Sequence, residues 1–288
     1  MSKSKDKEAS TEVTVQQPGS LVIPAGLDLN LLAQDQGAGT QGVRATDLAT
    51  PIICILQSNS PQCKKSDGKF IKGAAEGMLL NNVTNELFDG EKGIEVIPCF
   101  FEKVFIEWKP NRGGFVAIHG VDTPLRDQVK MVANSEGKET PTLPSGNNLI
   151  ETNQHYVLLV LNDGVLEPAV IAMSSSALKS SRLWNTLVKR VMLNDGKGSM
   201  FNPASYYMRY KLSTKARTKD QYSWFGWAVE PVGPVTTKVQ YDAGKALEQA
   251  VSSGTVRVKQ EQVDGDLPTA ALKDDDELPF DAKPATAA

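Results

Sequence analysis

The chain has 288 residues, 40% hydrophobic and 23% charged, with a net charge of −3, which suits one large domain with tails or two small domains. No run of about 18 apolar residues occurs, and no apolar stretch follows Met1, Ser2 and Lys3, so neither a membrane span nor a secretory signal is expected, and the cytoplasm is the default location. Cys54, Cys63 and Cys99 are too few for a disulfide framework; with His119 and His155 they stand in no zinc-ligand spacing, so no metal or cofactor is expected.

The net charge hides a division. Residues 1–43 carry 3 basic and 5 acidic side chains, 44–260 carry 26 and 21, and 261–288 carry 2 and 8. A basic body with an acidic tail is the more informative description. Residues 1–43 are Lys-, Ser-, Glu- and Gln-rich at first, then Gly-rich, and read as a flexible arm whose 21–32 stretch has apolar content fit to dock on a neighbour. The domain is expected over 44–258 and a disordered tail over 259–288.

Within the body, 51–56 and 77–80 read as short strands, with a turn at Asp89-Gly90. The longest strand-like run is 94–109. Its even positions Ile94, Val96, Phe100, Val104, Ile106 and Trp108 predict one apolar face, while Pro98 marks an edge or a bulge. A strand over 115–119 follows the turn at 111–114. Residues 135–152, punctuated by Pro141 and Pro144, read as a long loop. Strands resume at 155–161 and 169–173. Ser174, Ser175 and Ser176 then cap a helix to about Met192, strands at 206–217 and 221–230 form a hairpin, and a short helix is expected at 243–251. The fold class is β-rich α+β, compatible with a barrel or a curved antiparallel sheet with one long helix.

Residues 179–219 hold Lys179, Arg182, Lys189, Arg190, Lys197, Arg209, Lys211, Lys215, Arg217 and Lys219, with Asp195 the one acid. On a helix, Lys179, Arg182, Lys189 and Arg190 fall within an arc of about 100° and form a ridge beside an apolar half built on Leu183, Trp184, Leu187, Val188, Val191 and Met192. On the following strand, Tyr207, Arg209, Lys211, Lys215 and Arg217 share a face. A tight turn at Lys219-Asp220 puts Arg217 opposite Tyr222 and Lys215 opposite Trp224; a register one residue different turns Phe225 and Trp227 outward instead. Same-face cations repel, by a few tenths of a kcal/mol per close pair, so the pattern does not serve folding. Cations interleaved with rings suit single-stranded nucleic acid, whose phosphates need a positive track and whose unpaired bases stack on aromatics. Phe101, Lys103, Phe105 and Lys109 form a second candidate face for DNA or for a subunit contact.

The tail contains Asp274, Asp275, Asp276, Glu277, Leu278, Pro279 and Phe280 in succession. This run resembles the C-terminal tip of bacterial single-stranded-DNA-binding proteins: aspartates closed by an aliphatic residue, Pro and Phe. The resemblance implies that the four acids pair with a basic rim on a replication or recombination protein (polymerase, helicase or nuclease) while Leu278, Pro279 and Phe280 fill an apolar pocket. The chain departs from the pattern in continuing to Ala288, so the Phe carboxylate is not available for that contact. A larger body joined to such a tail looks like single-stranded-DNA-binding proteins of bacteriophages, which implies an OB-type barrel and a location in the host cytoplasm.

No phosphate loop or Ser-His-Asp ordering is present, so a non-enzymatic DNA-binding protein of replication, recombination and repair is expected. The rival readings are a strand-annealing recombination mediator, which assembles as a homo-oligomer, a metal-dependent nuclease, and an adaptor that binds only proteins.

Overall fold

The computed structural model describes residues 26–43, 47–110, 113–133, 139–161, 164–219 and 222–257. The chain divides into two units, Met1–Arg44 and Ala45–Ala288. In the first, helix α1 (Leu29–Gln34) overlaps the end of the apolar 21–32 stretch. Asp28 caps it, its carboxylate accepting from the Asn30 amide at 3.0 Å.

The second unit is built on two long antiparallel strands, β4 (Ile94–Trp108) and β8 (Asn148–Val160), paired along their whole length. Three short strands precede them: β1 (Ile53–Ile55), β2 (Leu79–Asn81) and β3 (Leu87–Phe88) form a separate sheet. Strand β5 (Phe115–His119) pairs with the C-terminal half of β4. Strands β6 (Lys130–Ala133) and β7 (Glu139–Thr142) extend the sheet past the start of β8, and β9 (Leu166–Ser174) lies along its second half. Helix α2 (Leu178–Arg190) follows, then the small hairpin of β10 (Leu193–Asn194) and β11 (Met200–Phe201). Strands β12 (Met208–Lys219) and β13 (Tyr222–Pro234) form the long hairpin, and α3 (Lys238–Ser252) ends the described body.

The fold is a strand-rich α+β arrangement of antiparallel sheets with few helices. Among the described residues the ladders do not close, so the antiparallel sheets do not form the OB-type barrel that the resemblance implies. Bridges and side chains instead join the separate sheets. A parallel bridge from Ile52 to Val170 ties the region of β1 to β9. The Gln57 amide then imitates a strand residue toward β13: its Oε1 accepts from Phe225 N at 2.9 Å and its Nε2 donates to Phe225 O at 2.8 Å. Thr214 fastens β12 to the same loops, its amide donating to Gly90 O and its hydroxyl to Gly77 O at 2.7 Å. Only glycine fits at position 90, because a Cβ there would overlap the Gly77 carbonyl oxygen.

Pro98 makes the expected bulge, and that bulge overturns the single apolar face predicted for 94–108. Pro98 pairs with Val157 and Phe100 with Tyr156, leaving Cys99 as an extra residue. One inserted residue switches the face of everything beyond it. Ile94 and Val96 therefore join the core under α2, with Trp184, Tyr210 and Leu212, while Val104, Ile106 and Trp108 join the core under α3, with Leu158, Leu247 and Val251. Two other expectations are corrected. The 135–152 loop contains β7 and the start of β8, since Pro141 and the polar residues around it sit in a short outer strand. The helix expected at 243–251 begins at Lys238, capped by the Thr237 hydroxyl, and is longer than α2.

Candidate nucleic-acid interface

Strand β12 pairs with β4 only from Tyr210 to Leu212. Beyond Leu212 the hairpin continues as a two-stranded ribbon to Lys219 and Tyr222. Its register sets Arg217 opposite Trp224, Lys219 opposite Tyr222 and Lys215 opposite Gly226. This differs by two residues from the expected pairing of Arg217 with Tyr222 and Lys215 with Trp224. A shift of two preserves the faces, so Lys215, Arg217, Lys219, Tyr222 and Trp224 still share one surface. Phe225 points to the other side and packs on the core, and Trp227 is buried within it.

Tyr222 is 57% exposed, Trp224 is half-buried, and Lys215 and Arg217 are exposed. Lys215 lies 3.6 Å from Glu230, with both side chains largely in solvent, a pairing worth little. Arg217 donates from Nη2 to the Trp227 carbonyl at 3.1 Å. It crosses Gly226, where any side chain would strike its Nε. One of its five N–H groups is thereby used, and the rest remain for an anion.

The lower half of β12 has a different role. Arg209 forms a 2.6 Å ion pair with Glu95 and donates from Nε to Pro234 O at 2.9 Å. Lys211 stands between Glu95 on β4 and Glu230 on β13 in the register. Arg209 thus links β12 to β4 and β13. Tyr207 is not on the strand at all but in the 3-10 turn Ser205–Tyr207, half-buried. On α2, Arg182, Lys189 and Arg190 are exposed and Lys179 is half-buried. Leu183, expected on the packed half, is 38% exposed, and Val191 and Met192 lie past the helix end.

The face carrying Phe101, Lys103, Phe105 and Lys109 is divided. Phe105 is buried against Leu143 and Leu149, with the Arg126 guanidinium 4.9 Å from its ring centre. Lys103 pairs with Glu151 at 2.8 Å. Phe101 is 40% exposed and lies over His155, ring centres 5.1 Å apart, while Lys109 is exposed beyond the strand end.

His155 belongs to a sealed cluster that no sequence signal revealed. It stacks on Trp184 at 4.4 Å and shares a 2.8 Å hydrogen bond with the Ser181 hydroxyl, to which Asn153 also donates. Burial pushes its imidazole down to about 3, so it is neutral near pH 7. His119 meets Glu107 at 2.8 Å; the hydrogen bond from Asn147, then that of His119, holds the Glu107 carboxyl below its ordinary range. Among the described residues no three His, Cys, Asp or Glu side chains gather as a metal site, and no helix is long and apolar enough to cross a membrane. Asp274, Asp275, Asp276, Glu277, Leu278, Pro279 and Phe280 lie outside the described residues.

A family model described as Pam3 phage gp34-like protein matches residues 24–257. That span includes every element from α1 to α3 and stops before the acidic tail. No curated protein and no solved structure matches the chain.

Proposed function

The chain belongs to the Pam3 phage gp34-like protein family, and for this phage protein we propose sequence-independent binding and protection of single-stranded DNA in the host cytoplasm during replication or recombination. The observation that carries the reading is the ribbon: Arg217 opposite Trp224 and Lys219 opposite Tyr222, on one accessible face. Phosphates spaced along a strand meet the cations, and unpaired bases meet the rings, for about 1–3 kcal/mol per stacked base. Duplex DNA keeps its base faces stacked inside, so the rings would gain nothing from it. Arg182, Lys189 and Arg190 on α2 lengthen the positive track. The antiparallel sheets with their Gln57 fastening take the place of the implied OB-type barrel.

The acidic tip at 274–280 is the proposed recruiting segment for a polymerase, helicase or nuclease. It lies past the residues that the family model matches, 24–257.

Tryptophan fluorescence tests the reading. Trp108, Trp184 and Trp227 are buried and Trp224 is half-exposed, so oligo-dT should quench the Trp224 component, and equimolar duplex should fail to reverse it. Quenching by duplex as strong as by oligo-dT would rule out the single-strand preference.

A further inference from the structure

A notch opens at the foot of the ribbon, where β9, the turn before α2 and β1 meet β13. Its non-protein space is about 620 Å³, solvent at the mouth included, and Arg217, Trp224, Ser174, Ser176, Ser180 and Gln57 are among its lining residues.

The lining residues divide into two kinds. Gln57 is committed to Phe225, and the Ser180 hydroxyl donates to Trp227 O at 2.8 Å; these groups build the wall. The hydroxyls of Ser174 and Ser176 make no hydrogen bond among the described residues, and Arg217 keeps most of its donors. Between the two serines, Ser175 holds φ +52°, a left-handed conformation that costs a serine on the order of 1 kcal/mol or more and persists where the surroundings impose it. A strained residue stands between two serines with uncommitted hydroxyls, and both serines line the same notch as Trp224 and Arg217.

The geometry points to a subsite for one unpaired nucleotide, which rests on the ribbon being a single-stranded-DNA interface and gives that interface its anchoring point. The base lies on the Trp224 indole, the Ser174 and Ser176 hydroxyls meet its carbonyl and ring-nitrogen edge, and Arg217 takes the adjoining phosphate. A base still paired in a duplex cannot present its edge and its face at once, so the notch supplies a discrimination that a positive track alone lacks.

The test titrates the full chain with thymidine 5′-phosphate, thymidine and inorganic phosphate, read by tryptophan fluorescence, and then uses thymidine 5′-phosphate to compete with labelled oligo-dT. Thymidine 5′-phosphate should quench at millimolar concentration, exceed thymidine several-fold in affinity and displace oligo-dT, while phosphate alone gives no quenching. In Arg217→Gln the preference for thymidine 5′-phosphate over thymidine should collapse toward one, a ratio insensitive to any general loss of stability. Ser174→Ala with Ser176→Ala should weaken both ligands about equally. If oligo-dT binds but the mononucleotide neither quenches nor competes, the notch is overturned and the ribbon reading stands. If oligo-dT does not bind either, both are overturned.

Discussion

At the scale of single residues, the aromatics separate into those sealed in the core and those that reach the surface, and Tyr210 and Trp224 mark the two classes. Tyr210 is fully buried, its hydroxyl has no hydrogen-bond partner, and burial pushes its phenol up to about 12. A buried hydroxyl without a partner carries an uncompensated desolvation cost. Tyr210→Phe should therefore leave thermal stability equal or raise it by up to about 1 kcal/mol; a clear loss in a urea melt would mean that the hydroxyl has a partner. Trp224→Ala should weaken oligo-dT binding by one stacked base, roughly tenfold, without changing the salt dependence; a loss confined to stability would assign Trp224 to the core instead. His155 makes the pH argument. Its folded value of about 3 lies below an unfolded value near 6.5, so between these limits the unfolded chain binds the extra proton. The stabilisation is complete above about pH 6.5 and is lost progressively as pH falls toward 3, by ~1 kcal/mol per pH unit. Denaturant melts at pH 7, 5 and 4 should show that slope, and His155→Phe should flatten it whatever its absolute stability.

At the scale of elements, the ribbon is only as useful as its seat. Gly90, Gly77 and Thr214 meet so closely that a methyl group at position 90 has no room. Gly90→Ala should cost about 1–3 kcal/mol by forcing the loop away from β12, and it should weaken oligo-dT binding as the ribbon tilts. Gly68→Ala, where a Cβ meets nothing within 4 Å, is the matched control; equal effects in the two variants would refute the seat. The sequence shows the hairpin, the cationic face and the helix at 178–190 because each has a strong period of two or of 3.6. It shows the bulge at Pro98 but not its result, since a pattern read on one parity cannot report a change of face partway along. Strands β6 and β7 escape it because short outer strands with polar residues and a proline lack alternation. Gln57 and the Ser174 to Ser176 turn escape it for another reason: a lone amide and a serine run are common, and their significance arises only from neighbours more than 30 residues away in the chain.

At the scale of the whole molecule, charge is divided unevenly between the body and the tail. The body is net basic by five charges over 44–260, and 261–288 is net acidic by six. If the strand neutralises about five phosphates, log affinity should fall against log salt with a slope near −3.5, a loss of roughly a hundredfold from 50 to 200 mM. Arg217→Ala with Lys219→Ala should remove about two contacts and bring the slope nearer −2. The tail enters the same balance, because a tethered acidic segment competes with phosphates for the same cations, and tethering keeps its local concentration high whatever the bulk dilution. Ordinary salt weakens both contestants, so the competition is greatest at low ionic strength. Deleting residues 261–288 should then raise oligo-dT affinity several-fold at 50 mM salt and leave it nearly unchanged at 300 mM, with a steeper slope than the full chain shows. Titration of the two proteins side by side at both salt concentrations measures this directly. A lower affinity in the shortened protein would mean that the tail assists binding, and a difference that persists at high salt would mean that its effect is not electrostatic.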